Sequence, residues 1–297
     1  MKIAIAALVF CLAATAAAPA QGQSGSARAA NAQPSGSATK LPTQSEVDGF
    51  LQRVYGFDAG IKWKIVQIKP SQAPGVAEVI YYIGAEPRAT HMFVFPDGRH
   101  AVAGTFMPFG PDPFAETRGK LAASTTGIAT GPSSKGVLVE FSDLECPHCK
   151  AAAPVLEKLQ QEVGLKLVFQ QYPLPAIHPW SMEAAEYSDC IGRASPENAM
   201  KFNDAVFAAQ DQIDPQNATD KLDALAAANG ADASKLKSCV ADPATSARVQ
   251  QSIALGDSVD VTGTPSIYIN GRKINTVVDV PYEEVRDLVK WEMEHAR

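Results

Sequence analysis

Apolar positions along this chain fall into several distinct patterns, and each predicts a different kind of element. From Ile3 to Ala18 the run is almost unbroken, follows Met1-Lys2 and ends in Ala18-Pro19-Ala20. A short positive start, an apolar core and a small-x-small end predict a secretory signal peptide over 1–20, cut after Ala20. The core is shorter than the ~20 residues a membrane span needs. Bulky Phe10 before Cys11 argues against lipid attachment. Residues 21–40 have no aromatic or large aliphatic side chain to offset their ordering entropy, so a flexible leader is expected over 21–42.

Helical spacing comes next. Val47, Phe50, Leu51 and Val54 form one stripe, predicting a helix over Ser45–Tyr55 with Ser45 as its cap. Strand-like runs follow at Lys64–Lys69, Glu78–Ile83, His91–Phe95 and His100–Thr105, the last two joined by Pro96-Asp97-Gly98. Residues 43–112 therefore read as a small α+β domain. Residues 113–134 read as a linker, partly helical over Ala115–Ala123 and otherwise rich in Ser, Thr, Gly and Pro.

A second domain is expected over 135–297. It opens with Gly136–Phe141, apolar without alternation, as suits a strand covered on both faces. A cysteine motif and helix follow, then a strand at Leu165–Gln170. An Ala-rich, mostly helical insertion spans about 178–255. Asn270-Gly271 predicts a hairpin between Ser266–Ile269 and Lys273–Val277. A helix from Tyr282 to Glu294 ends the chain.

Composition narrows the classes. Of 297 residues, 46% are hydrophobic and 20% charged, which suits a folded protein without multiple membrane spans. The net charge of −6 supplies no basic face for nucleic acid. Cleavage after Ala20 would remove Lys2, taking the charge to about −7, and Cys11, leaving four of the five cysteines, an even number suited to an oxidising compartment. No integral membrane segment is expected after processing.

Chemistry concentrates at Cys146-Pro147-His148-Cys149, between a strand and a helix start. Two cysteines so spaced lie on one helix face, close enough to bond. Cys146, the outer one, meets unpaired N–H groups and the positive helix end, which favour its thiolate. His148 can add a donor or charge, and Pro147 suits a first turn that needs no N–H. A Cys146 pKa near 4 instead of about 8.5 would stabilise the reduced form by roughly 4 kcal/mol at pH 7, on the order of 90 mV. Such a disulfide is readily passed on. The other readings of an isolated C-x-x-C are half a zinc site and an inert disulfide, but Cys190 and Cys239 stand singly. No cofactor or metal is called for. Thr264-Pro265 precedes a strand, where the proline is either cis and beside the cysteines or an ordinary strand-edge proline. Glu140, six residues before Cys146, is either a buried proton acceptor for Cys149 or a solvated strand end.

The block Val137–Cys149, with Thr262-Gly-Thr-Pro-Ser-Ile267 downstream, resembles the DsbA-like disulfide oxidoreductases of bacterial periplasms over roughly 130–297. The resemblance implies an α/β, thioredoxin-like fold with a helical insertion, here preceded by the small α+β domain. It implies that Cys146 attacks, Cys149 resolves, Pro265 is cis and helps hold substrate, Thr264 tunes reactivity and Glu140 is buried. Its partners would be unfolded or thiol-bearing exported proteins and a membrane redox partner that resets the pair. The segment 41–123 is loosely similar to the dimerisation domain of DsbC and DsbG, which implies a possible homodimer. Pro-His between the cysteines favours disulfide donation, whereas the additional domain favours isomerisation. A non-enzymatic periplasmic chaperone or binding module is the alternative from another class.

With 146 and 149 assigned to each other, Cys190 and Cys239 are expected to form a structural disulfide, worth roughly 4 kcal/mol on chain-entropy grounds. Trp180 and Tyr187 read as core, Pro154 as a helix kink and His178 as a surface loop residue.

Overall fold

The structure is a computed structural model that describes residues 39–84, 89–104, 106, 109–132, 135–274 and 276–295. The expected signal peptide and most of the leader lie outside the described residues, as does Thr105. The chain divides into two compact units, 1–106 and 107–297.

In the first unit, α1 (Gln44–Tyr55) is capped by Thr43 rather than Ser45. The Thr43 hydroxyl accepts the Glu46 N–H while the Glu46 carboxylate accepts the Thr43 N–H, a reciprocal pair that sets the helix start one residue early. Four antiparallel strands follow in the order β1 (Trp63–Pro70), β2 (Ala77–Ile83), β3 (Thr90–Val94) and β4 (Ala101–Ala103). Val47 and Leu51 of α1 share a core with Val79, Tyr81 and Met92 of the sheet. Asp97 closes the β3–β4 turn by accepting the N–H groups of Arg99 and His100. β4 is shorter than the expected His100–Thr105 and lies exposed at one sheet edge.

The second unit holds a five-stranded sheet in the order β5-β7-β6-β8-β9. These are β5 (Ile128–Thr130), β6 (Val137–Ser142), β7 (Lys166–Gln171), β8 (Ser266–Ile269) and β9 (Arg272–Ile274). Only β6 and β7 run parallel, joined across α3 (Pro147–Val163). β6 alternates its faces. Leu138 joins α3 residues Leu156 and Leu159 and Val285 and Val289 of α9 (Tyr282–His295) in one core. Val139 and Phe141 join Tyr172, Tyr268 and Val259 in another.

The stretch 113–134 is not a linker. It contains α2 (Ala115–Ala122) and β5, and both belong to the second unit. Leu121 is buried beside Val139 and Phe141, Arg118 donates to the Asn270 carbonyl, and β5 pairs with β7. Polar composition hid this, because among its described residues the segment buries only Leu121, Thr126 and Ile128 fully. Asn270 and Gly271 both adopt positive φ, the conformation a two-residue hairpin turn requires. Val277 lies beyond β9 rather than at its end.

The insertion comprises α4 (Ser181–Ala194), α5 (Pro196–Ala209), α6 (Ala218–Ala228), α7 (Ala233–Val240) and α8 (Pro243–Ser258). Its core contains Trp180, Tyr187, Phe202, Val206 and Leu222, and runs on into Cys146, Cys149 and Phe169. Cys190 of α4 and Cys239 of α7 are joined by a disulfide. Arg193 donates to both sulfurs and to Thr245 Oγ1.

Candidate functional site

Cys146 caps α3, with Pro147 at the first helical position. Its backbone is extended, so its side chain meets the free N–H groups of the first turn. Cys146 and Cys149 are both free and buried. Their protonation is pushed in opposite directions. The Cys149 thiol donates to Cys146, Thr264 and the backbone N–H groups of Cys149 and His148 add to this, and the Cys146 pKa falls to about 5 despite burial. Burial pushes Cys149 up, and its bond to Cys146 and the charge of Glu140 push it further. The His148 side chain lies at the exposed surface, and its backbone N–H is what reaches Cys146.

The Thr264–Pro265 peptide is cis. It brings the Thr264 carbonyl to 3.4 Å from Cys146 Sγ, across 118 residues of sequence. Glu140 lies within β6 rather than at its end, on the same side of the strand as Leu138. It is buried, and burial raises its carboxyl to about 7, with the charges of Asp204 and Cys146 contributing. Its Oε1 has no hydrogen-bond partner. An orphaned polar atom of this kind costs about 1–3 kcal/mol.

Several residues not singled out in the sequence hold this arrangement. Asp143 is fully buried and organises the turn before Cys146. Its N–H points at Cys149 Sγ at 3.4 Å and its carbonyl accepts the Cys146 N–H at 3.0 Å. Its carboxylate accepts the N–H groups of Glu145 and Leu174, both at 2.8 Å. His178 is not a surface residue: its Nδ1 pairs with Asp143 Oδ2 at 2.8 Å, and its side chain is 16% exposed. Glu145 accepts the Trp180 N–H at 2.8 Å, and partial burial raises its pKa. Gln210, at the end of the α5 segment, donates to the carbonyls of Leu144 and Cys146.

Acidic residues flanking a cysteine pair were a readable signal for Asp143 and Glu145. Nothing local to Gln210 or His178 marks them, because their partners lie 35 or more residues away. Trp180 and Tyr187 are buried, and Pro154 lies inside α3, which continues through it. No group of three or more His, Cys, Asp or Glu side chains able to hold a metal occurs among the described residues.

A sheet with one parallel pair, a cysteine pair at the start of the helix after its first parallel strand and a cis-proline beside that pair define a class. The thioredoxin family model matches residues 123–290, more than half of the chain, and the chain belongs to that family. Its fold is that of the DsbA-like oxidoreductases. The structure of BdbD from Bacillus subtilis superposes with a TM-score of 0.51 at 22% identity, covering 57% of this chain and 94% of that one. Disulfide bond formation protein D of B. subtilis is 23% identical over 161 residues, 52% of this chain and 72% of that protein. Na(+)/H(+) antiporter NhaA 3 of Salinispora tropica is 30% identical over 146 residues, covering 48% of this chain and 21% of the antiporter. The chain thus spans about a fifth of the length of that relative.

Proposed function

We propose that this protein is a thiol:disulfide oxidoreductase that donates disulfides to exported proteins through Cys146 and Cys149. The observation that carries the proposal is the placement of two buried, free cysteines at the start of α3 beside the cis Thr264–Pro265 peptide, where hydrogen bonds to Cys146 lower its pKa and burial raises that of Cys149. In the oxidised enzyme a substrate thiolate attacks Cys146 Sγ. The Cys146–Cys149 bond breaks, a mixed disulfide forms and Cys149 leaves with the electron pair. Cys149 cannot persist as a thiolate at neutral pH, and Glu140 is the group that hands it a proton. A second substrate thiolate then attacks the substrate sulfur of the mixed disulfide. The substrate disulfide forms, and Cys146 leaves as a thiolate that needs no proton. Two electrons have moved to the enzyme.

A pKa of about 5 would stabilise the reduced enzyme by roughly 3 kcal/mol at pH 7, on the order of 60 mV toward oxidising power. Thr264 and the cis-Pro265 offer backbone beside Cys146 where an extended substrate segment can pair. Export is supported by the apolar run of the first twenty residues and by a disulfide, Cys190–Cys239, of the sort that persists in oxidising compartments. A membrane redox partner would reoxidise the pair. No helix among the described residues is long and apolar enough to cross a membrane.

A dimeric isomerase is the second reading. The exposed edge strand β4, with Val102 54% exposed, favours it as a place where another copy could add. The test is oxidation of reduced, unfolded ribonuclease by the oxidised protein, beside rescue of scrambled ribonuclease. Donation predicts rapid oxidation that Cys146→Ser abolishes. A strongly reducing potential with efficient rescue would replace donation by isomerisation, and full activity of Cys146→Ser would replace both by a non-enzymatic binding role.

A further inference from the structure

Val259, Asp260 and Val261 join the end of α8 to the loop that meets Cys146, and each of their carbonyls receives a side-chain donor. Tyr268 of β8 donates its hydroxyl proton to the Val259 carbonyl at 2.6 Å. Lys273 of β9 donates from Nζ to the Asp260 carbonyl, also at 2.6 Å. Tyr172, just past β7, shares its hydroxyl proton between Asp257 Oδ1 at 2.7 Å and the Val261 carbonyl at 3.4 Å. Burial raises both phenols above their ordinary range, so each keeps the proton it donates.

The chain turns sharply at these residues. The Val261 N–H returns to the Gly256 carbonyl at 3.0 Å and the Asp260 N–H to that of Asp257 at 3.3 Å, the paired bonds that end a helix through a left-handed residue. That residue is Asp260, with φ of 62°, where glycine would be the unstrained choice. Packing fixes the two phenol rings as well. Phe141 of β6 meets Tyr172 and Tyr268 edge to face, with centroids 6.1 and 5.9 Å away. A Cβ on Gly256 would come to 2.6 Å from the Tyr172 ring, so glycine lets α8 settle against it. The loop beyond is short. Ser266 Oγ holds the Gly263 carbonyl at 2.8 Å, and the Thr264 carbonyl then stands 3.4 Å from Cys146 Sγ.

We propose that Tyr268 and Lys273, with Tyr172, are positioning residues for disulfide exchange, anchoring the turn at 259–261 so that the loop through Thr264 presents its backbone to an extended substrate segment beside Cys146. This role rests on the exchange reaction proposed for Cys146 and Cys149. A loop already held in its binding geometry loses little freedom when a polypeptide segment pairs with it, and binding is tighter for that reason. Loosening the turn weakens the hold on a polypeptide. It leaves exchange with a small thiol, which has no backbone to pair, nearly as fast. Thr264 also lowers the Cys146 pKa, so a loop that drifts away takes some of that acidity with it.

The test compares Tyr268→Phe, Lys273→Met and Lys273→Arg with the unaltered full-length protein. Each is assayed by oxidation of reduced, unfolded ribonuclease with oxidised glutathione restoring the cysteine pair, and by single-turnover reduction with dithiothreitol. Tyr268→Phe and Lys273→Met are each expected to raise KM for ribonuclease about fivefold to tenfold, the size of one lost hydrogen bond. Their kcat and dithiothreitol rates should stay within about twofold, and thiolate absorbance should show Cys146 about threefold less acidic. Lys273→Arg keeps a donor for the Asp260 carbonyl and should keep KM near that of the unaltered protein. Lys273 is exposed, so Lys273→Met carries the test should Tyr268→Phe not fold. Lower melting temperatures with KM and the Cys146 titration unchanged would make these contacts purely structural and overturn the proposal. Equal slowing with ribonuclease and dithiothreitol overturns it too, because the defect would then lie at the sulfurs. A KM raised as much by Lys273→Arg as by Lys273→Met overturns the role of the bond to Asp260. Undiminished ribonuclease oxidation by Cys146→Ser would instead remove the exchange reaction on which the role of the turn depends.

Discussion

At the scale of single residues the site is a set of protonation preferences imposed by position. Cys146 has its pKa lowered by hydrogen bonds it receives, so its stabilisation is present above the unfolded thiol pKa of about 8.5 and is lost as pH falls through about 5. The reduced form is therefore expected to lose about 2 kcal/mol of its advantage over the oxidised form between pH 7 and pH 5. Denaturant unfolding of both forms at the two pH values measures this, and thiolate absorbance should titrate near 5. Glu140 behaves oppositely. A carboxyl raised by burial from 4.5 to about 7 destabilises the fold as pH rises through that range. Glu140→Gln should stabilise the protein by about 3 kcal/mol at pH 8 and far less at pH 5, since only at the higher pH does the native protein hold a buried charge there. Equal effects at both pH values would mean that Glu140 is not titrating within the fold.

At the scale of elements, the turn that carries Cys146 is tied to the loop after β7 rather than held by the helix alone. Asp143 satisfies three partners from a buried carboxylate, and its own backbone reaches both cysteines. Asp143→Ala leaves the N–H groups of Glu145 and Leu174 and the His178 ring without their acceptor. A loss of about 2–4 kcal/mol is expected by thermal or denaturant melting, with a rise in the Cys146 pKa as the turn loosens. His178→Ala removes only the latch to the loop and should cost about 1 kcal/mol. If Asp143→Ala leaves the Cys146 titration where it was, the turn is not what sets that cysteine's geometry.

At the scale of the whole molecule, one disulfide staples two helices of the insertion across 49 residues. Replacing Cys190 and Cys239 together by Ser is expected to cost up to about 4 kcal/mol while leaving Cys146 able to exchange, as read by melting and ribonuclease oxidation. Total loss of exchange in a variant that still folds would mean this pair takes part in the redox chemistry. The first unit has its own sheet and its own apolar core, the organisation of an independently folding body. If it serves as a dimerisation domain, sedimentation of the full chain will give twice the monomer mass, and a chain lacking residues 39–106 will give one.

Sequence by itself determined what local chemistry controls. Helix and strand positions followed from the 3.6 and 2.0 periodicities, the hairpin from Asn270-Gly271, and the reactive pair from Cys146-Pro147-His148-Cys149 at a strand-to-helix junction. Each is specified by residues within a few positions of one another. Errors clustered where a distant partner decided the outcome. Polar residues 113–134 resembled a linker, but a sheet edge and the face covered by Leu121 recruited them. His178 resembled a surface histidine until Asp143, 35 residues earlier, was found beside it. The two readings left open for Pro265 and Glu140 could not be separated by sequence, since backbone isomer and burial depend on what packs around them. Only the tertiary structure brought Thr264 to Cys146 and buried Glu140 within the sheet. Hydrogen bonds and desolvation act over a few ångströms of space, whatever the distance along the chain.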